Sequence, residues 1–160
     1  IQPIKGHMFF LDLADAFLDK EGTVFWIIGS SKRSEYSSLV AERAKITRNV
    51  KILGESEDMD VIYPMIDVVV RCEEYLPLGR TVFEGYYAGC SVLIPAGEND
   101  DTSEVEPFLN KGIWTYKPQN IVDLIGKVEL IIQENSTLLH NRPTGNMKQY
   151  AHKFMTIINP

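Results

Sequence analysis

The sequence predicts a doubly wound α/β fold, a parallel sheet with helices on both faces. Three observations carry that expectation. Runs of β-branched and aromatic residues recur at intervals of roughly twenty to thirty residues, without the polar alternation of a half-exposed strand. Between them lie segments whose apolar residues are spaced three and four apart, the pattern of helices laid against a sheet. The chain has 160 residues, 44% of them hydrophobic, which suits one domain with a full core.

The elements follow in order. Ile1-Gln-Pro-Ile-Lys5-Gly6 leads into a helix over Met8–Asp19, apolar nearly all round except at Asp12, Asp15 and Asp19, which mark its wet face. Thr23–Ile28 reads as a strand buried on both faces. Gly29-Ser30-Ser31 then turns the chain; no Gly-x-Gly-x-x-Gly follows, so the dinucleotide fingerprint is missing and a plain strand-to-helix turn is expected. Ser34 caps a helix to about Lys45, with Tyr36, Leu39, Val40 and Ala44 as its inner stripe. Val50–Leu53 is a short strand ending at Gly54, and Ser56, Glu57 and Asp58 open a short helix that Pro64 makes irregular.

Asp67 precedes the strand Val68–Arg71. Pro77 and Gly79 form a turn, a helix runs from about Arg80 to Ala88, and Gly89 stops it. Ser91–Pro95 and Gly112–Tyr116 complete five strands. Between them, Glu98, Asp100 and Asp101 sit with Gly and Asn on a loop; adjacent acids there are solvated rather than arranged for a metal. Ile121–Ile132 is an amphipathic helix with Ile121, Leu124, Ile125, Val128 and Ile132 inward. A polar bend over 135–145 and a terminal helix over about 146–158 close the chain.

Charge and composition narrow the function. A net charge of −6 argues against a nucleic-acid module, which would carry a basic patch or stripe. Cys72 and Cys90 have no histidine pairing and flank strands, so buried thiols in a reducing compartment are expected. His7, His140 and His152 are scattered and lack a catalytic partner. No apolar run approaches a membrane span.

The most informative stretch is Leu76-Pro-Leu-Gly-Arg-Thr-Val-Phe-Glu84-Gly-Tyr-Tyr-Ala-Gly89. The unpaired amides and positive dipole end of its helix make an anion site. Arg80 adds a fixed charge and Thr81 a hydroxyl, and Glu84 falls three residues on, on the same face as Thr81. One short helix can therefore offer donors to a phosphate and a carboxylate to a sugar hydroxyl.

With Cys90-Ser91-Val92-Leu93-Ile94 behind it, this motif resembles the nucleotide-sugar-binding half of retaining glycosyltransferases of the GT-B type, family 4. There a Gly-x-x-x-x-Glu-Ala-x-Ala-x-Gly-x-Pro-Val pattern holds the donor. The family has an earlier glutamate eight positions before the second; here Leu76 stands in that place, with Glu73 and Glu74 just upstream. Lys5-Gly6 before a helix is similar to the family's Pro-x-Lys-Gly.

The resemblance implies a Rossmann-like domain, the C-terminal half of a GT-B fold, with a sixth, central strand before Ile1. A separate amino-terminal domain would hold the acceptor. It assigns Lys5 and Arg80 to the donor diphosphate, Glu84 to ribose hydroxyls, and Leu53 and Gly54, beside Ile52, to the base, with Gly79, Thr81 and Val82 completing the donor-binding set. Lys5, Arg80 and Glu84 are thus the residues expected to position the donor and stabilise the leaving group. The implied donor is a UDP- or GDP-sugar, with no cofactor and no metal. The implied acceptor is a hydroxyl on a glycan, lipid-linked sugar or small molecule. Cytoplasmic location, with membrane contact only through the other domain, and a role in polysaccharide or glycan synthesis are further expectations. A nucleotide-sugar 2-epimerase and a non-catalytic domain of the same fold are the alternatives.

Overall fold

The structure, a computed structural model, describes residues 1–30 and 33–138. Helices and strands alternate along it: α1 (His7–Ala16), β1 (Phe25–Ile28), α2 (Glu35–Ile46), β2 (Val50–Gly54), α3 (Met59–Ile62), β3 (Val68–Val70), α4 (Arg80–Tyr87), β4 (Ser91–Pro95), β5 (Ile113–Tyr116) and α5 (Ile121–Leu138). All strand pairings are parallel; α2 and α4 make the β1–β2 and β3–β4 crossovers, and a loop with a 3₁₀ turn at Glu106–Phe108 makes the β4–β5 crossover. The fold is the expected α/β Rossmann-like one.

β4 shows why helices cover both faces. Its Leu93 joins Leu13, Ala14 and Phe17 of the α1 region, Phe25, Tyr116, and Leu124, Val128 and Ile131 of α5 in one core cluster. Its Val92 and Ile94 join Val82 of α4, Val105 and Ile113 in a second cluster on the opposite face. A strand alternates its side chains between faces, so a continuous apolar run needs a helix on each side. A third cluster seats α2 through Val40 and Ala44 against Leu11 and Ile27.

The five described strands form two sheets, β1-β2 and β3-β4-β5. The break lies between β1 and β3. A cavity of about 1080 Å³ runs into this break, lined by Phe25–Ile28 on one side and Val68–Val70 on the other. The shared core cluster with α1 and α5 holds the two sheets together.

Several details differ from the sequence-based expectation. α1 stops at Ala16, because residues from Phe17 turn through Gly22, at φ +80°, and β1 begins only at Phe25. Asp15 is not simply wet: it accepts hydrogen bonds from Arg43 and from Thr47 Oγ1 (3.0 Å), clamping α1 to α2. Leu39 is exposed. On α5 the inward residue is Ile131, 1% exposed, whereas Ile132 is 42% exposed; α5 meets α1 through Leu124, Val128 and Ile131. The helix continues through Leu138, past the expected bend at Asn135, since no proline interrupts it before Pro143. The terminal helix expected at 146–158 lies outside the described residues. Among the described residues, no helix is long and apolar enough to cross a membrane.

Candidate functional site

Lys5 is placed by backbone geometry. Pro3–Lys5 forms a 3₁₀ turn, and Gly6 closes it in the left-handed region at φ +66°. A Cβ on Gly6 would lie 1.8 Å from the carbonyl oxygen of Cys72, so only glycine lets the turn sit on the end of β3. Lys5 Nζ then donates to Glu73 Oε1 at 3.1 Å. Glu73 is 1% exposed. It also accepts from Arg71, by Nε to Oε2 at 3.2 Å and by Nη2 to Oε1. Burial pushes the Glu73 carboxyl up, but the hydrogen bonds and charges of Arg71 and Lys5 outweigh it and hold it below the usual glutamate range. Cys72 is buried, and burial pushes its thiol up to about 12, which leaves it an inert thiol.

Glu84 is placed by α4. The helix starts after Gly79, whose extended backbone serves as N-cap. α4 lies close against β3: a Cβ on Gly85 would come within 2.9 Å of Val69 Cγ2. One oxygen of Glu84 forms an ion pair with Arg80 Nε at 3.1 Å. The other accepts from Tyr63 Oη at 3.2 Å. Tyr63 is buried; burial first, then the charge of Glu84, raises its phenol, so it stays a donor. A carboxylate has lone pairs beyond these two bonds, so Glu84 can accept a further pair of hydroxyls.

Lys5, Arg80, Thr81 and Glu84 line the same cavity, together with Tyr63, Arg71 and Glu73. Gly29 and Ser30 line it too, although the sequence suggests only a turn there. Arg71 directly follows β3 and Gly29 directly follows β1, so this part of the cavity opens at the carboxyl ends of the strands, where open α/β sheets hold ligands.

The other expected donor-site residues are placed differently. Gly79 borders the site as the N-cap of α4, with open space where a Cβ would be. Val82 is buried in the second core cluster, and its N–H donates to the Gly79 carbonyl at 3.0 Å. Leu53 is skipped in the β1–β2 register, which passes from Ile27↔Ile52 to Ile28↔Gly54, and its side chain is exposed. Gly54 takes φ +77°, and its carbonyl accepts from the Gly29 N–H at 2.8 Å. Glu55 and Ser56, the next two residues, do line the cavity. Leu76 is half-buried against the cluster of Val82, Val92 and Ile94. Asp100 accepts from the Gly97 N–H at 2.7 Å and Asp101 from the Ser103 N–H at 3.0 Å, closing their own turns. Among the described residues, no three His, Cys, Asp or Glu side chains cluster as metal ligands do.

The sequence alone does not single out Tyr63 or Arg71. The available signal is Arg71 itself, a charged residue at the end of an otherwise apolar strand. Tyr63 gives none, since its partner lies twenty-one residues away.

Comparison with known proteins places this arrangement in a family. Among solved structures, the chain is similar to a glycosyltransferase from Rickettsia africae ESF-5, with 18% identity and a TM-score of 0.68, over 96% of this chain and 40% of that one. It is similar to the C-terminal domain of a glycosyl transferase group 1 family protein (LpcC) from Francisella tularensis, with 16% identity and a TM-score of 0.72, over 96% and 82%. It is also similar to Anabaena Alr3699/HepE in complex with UDP-glucose, with 19% identity and a TM-score of 0.69, over 96% and 42%. These likenesses show the fold, and the chain spans under half the length of the Rickettsia and Anabaena proteins. No curated protein sequence matches it. The family model for glycosyl transferases group 1 matches residues 1–153, and the chain belongs to that family.

Proposed function

We propose that this chain is the donor-binding half of a retaining glycosyltransferase of the GT-B type, family 4, and that its cavity holds a nucleoside-diphosphate sugar. The observation that carries the reading is that Lys5, Arg80, Thr81 and Glu84 all line one cavity, which reaches the carboxyl ends of β1 and β3. Cations, a hydroxyl and the start of a helix suit a diphosphate; a carboxylate beside them suits ribose hydroxyls. The Anabaena protein of the same fold is described in complex with UDP-glucose, which agrees with a UDP-sugar donor; a GDP-sugar is the other candidate. Leu53 and Gly54 remain assigned to the base, through the backbone of the bulge that leads into Glu55.

In transfer, the anomeric C–O bond breaks and negative charge grows on the leaving diphosphate. Lys5, Arg80 and the first amides of α4 stabilise that charge as it develops, which is where stabilisation accelerates the step. Glu84, oriented by Tyr63 and Arg80, fixes the ribose and so the pose of the donor. The acceptor, a hydroxyl of a growing glycan, is held by an amino-terminal domain of the whole protein. The domain alone binds donor weakly and transfers nothing.

A second reading is favoured by one observation. Leu76, at the place of the family's first glutamate, lies against an apolar cluster and leaves no carboxylate there for the donor sugar. A non-catalytic domain that keeps the fold and has lost the chemistry is that reading.

Calorimetric titration of UDP, GDP and their sugar conjugates into wild type and Glu84→Ala tests the proposal. The expected result is a dissociation constant of about a millimolar or tighter, weakened at least tenfold in the variant. No heat from any nucleotide with the folded protein would overturn it. Transfer assays on the whole protein then separate the catalytic from the non-catalytic reading.

A further inference from the structure

We propose that Arg71 is a direct ligand of the donor diphosphate, a cation beyond Lys5 and Arg80, and that Glu73 is the positioning residue that aims Arg71 and Lys5 at it. This rests on the donor-site reading and deepens it.

The first argument is charge. Glu73 is 1% exposed yet accepts from two cations, Lys5 at 3.1 Å and Arg71 at 3.2 Å. One cation is enough to neutralise a buried carboxylate. With two, the cluster keeps a net positive charge inside a cavity wall. The second argument is spare donors. Glu73 engages Arg71 through Nε and Nη2, and Lys5 through one N–H. A guanidinium carries five N–H groups and an ammonium three, so both cations keep donors for another acceptor.

The third argument is place. Arg71, 14% exposed at its side chain, and Lys5, 45% exposed, line the same cavity as Arg80, Thr81 and Glu84. The fourth is rigidity. The Arg71 amide donates to the Leu93 carbonyl at 2.9 Å, and its carbonyl accepts from Tyr116 Oη at 2.7 Å. Gly6, the residue after Lys5, packs closely on the Cys72 carbonyl. Groups fixed before the ligand arrives need no reorganisation when charge develops on it. A planar guanidinium on a rigid strand end also matches paired phosphate oxygens, which a lone ammonium does not.

The competing explanation is that Arg71 serves only as counter-ion to Glu73. The double variant Arg71→Gln/Glu73→Gln, compared with Glu73→Gln alone, separates the two, because both lose the hold of Glu73 on Lys5 and only the double variant loses Arg71. It removes one positive and one negative charge, so no buried ion is left unpaired. Dissociation constants for UDP, uridine and inorganic pyrophosphate are measured calorimetrically on wild type and both variants. The expected loss from Glu73→Gln to the double variant is about tenfold to a hundredfold for UDP and pyrophosphate, the size of a lost charged hydrogen bond, with uridine within about threefold. Arg71→Lys keeps the buried pair, and an intermediate loss is expected of it even if the double variant folds poorly. Unchanged UDP and pyrophosphate binding in Arg71→Lys, or in the double variant relative to Glu73→Gln, with wild type binding UDP, would overturn the assignment and leave the donor site standing. Pyrophosphate binding that depends on Arg71, without any nucleotide binding, would keep the anion site and overturn the donor reading. Binding of neither ligand by wild type would overturn both.

Discussion

Replacing Gly6 by alanine tests how the lysine is held. Two costs follow from the structure. Gly6 has φ +66°, and an L-residue there costs about 1–2 kcal/mol. The new Cβ would stand 1.8 Å from a backbone carbonyl oxygen of Cys72, which no rotamer change relieves, so the Pro3–Lys5 turn must lift from the end of β3. Overpacking of this kind costs about 1–3 kcal/mol. Losing the half-exposed Lys5–Glu73 bond adds about 1 kcal/mol at most. The expected total is about 2–6 kcal/mol, a large part of the roughly 5–15 kcal/mol of a typical domain. Gly22 supplies the control: it has φ +80°, but an added methyl there would meet nothing within 4 Å, so Gly22→Ala should cost only about 1–2 kcal/mol. Urea denaturation of both variants gives the difference directly. In Gly6→Ala, UDP affinity should also fall, because Lys5 leaves the cavity; in Gly22→Ala it should not. Equal destabilisation of the two variants, within about 0.5 kcal/mol, would refute the steric account.

Tyr63→Phe removes one hydrogen bond to Glu84 and keeps the ring, so the melting temperature should drop little. UDP affinity should fall by about threefold to tenfold, in line with about 1 kcal/mol for one hydrogen bond, and 2′,3′-dideoxy-UDP should not respond to the substitution. An equal response of both ligands would show that Tyr63 does not act through ribose recognition. Leu76→Glu places a carboxylate among apolar side chains and should cost about 1–3 kcal/mol in urea; a variant as stable as wild type would mean that the site at 76 is open to water. The Glu73 carboxyl is pushed up by burial and pulled further down by Arg71 and Lys5. Its stabilisation is therefore complete above the ordinary glutamate pKa and is lost as pH falls through its lowered folded value. Stability measured against pH should fall in that acid window, and Glu73→Gln should make the slope shallower by up to about one proton; an unchanged slope would deny the carboxylate that role.

Much of this molecule is legible in one sequence. The five strands announce themselves because β-branched residues without polar alternation have few other destinations, and Gly89 ends α4 as its position suggests, at φ +91°. Arg80, Thr81 and Glu84 are legible as a group because they share one short helix that follows β3, and they line one cavity with Lys5. What is not legible depends on distant partners. Asp15 looks like a solvated acid until Arg43, twenty-eight residues away, bonds it. Glu73 and Glu74 look alike in the sequence, and only the structure shows Glu73 buried between Lys5 and Arg71. The three-four spacing of α5 fits Ile132 as well as Ile131, and only contact with α1 decides between them. Leu53 precedes a glycine in a strand, yet a bulge puts its side chain outside the ladder. That register shift is a property of two strands together.

The most direct test of the central claim is an amide-resonance titration of the domain with UDP and GDP. The account predicts that the largest shifts fall at Gly6, Gly29, Arg71–Glu73 and Gly79–Glu84, around the one cavity. Shifts confined to the outer face of α2 or to the acidic loop at Glu98–Asp101, with those positions silent, would contradict it.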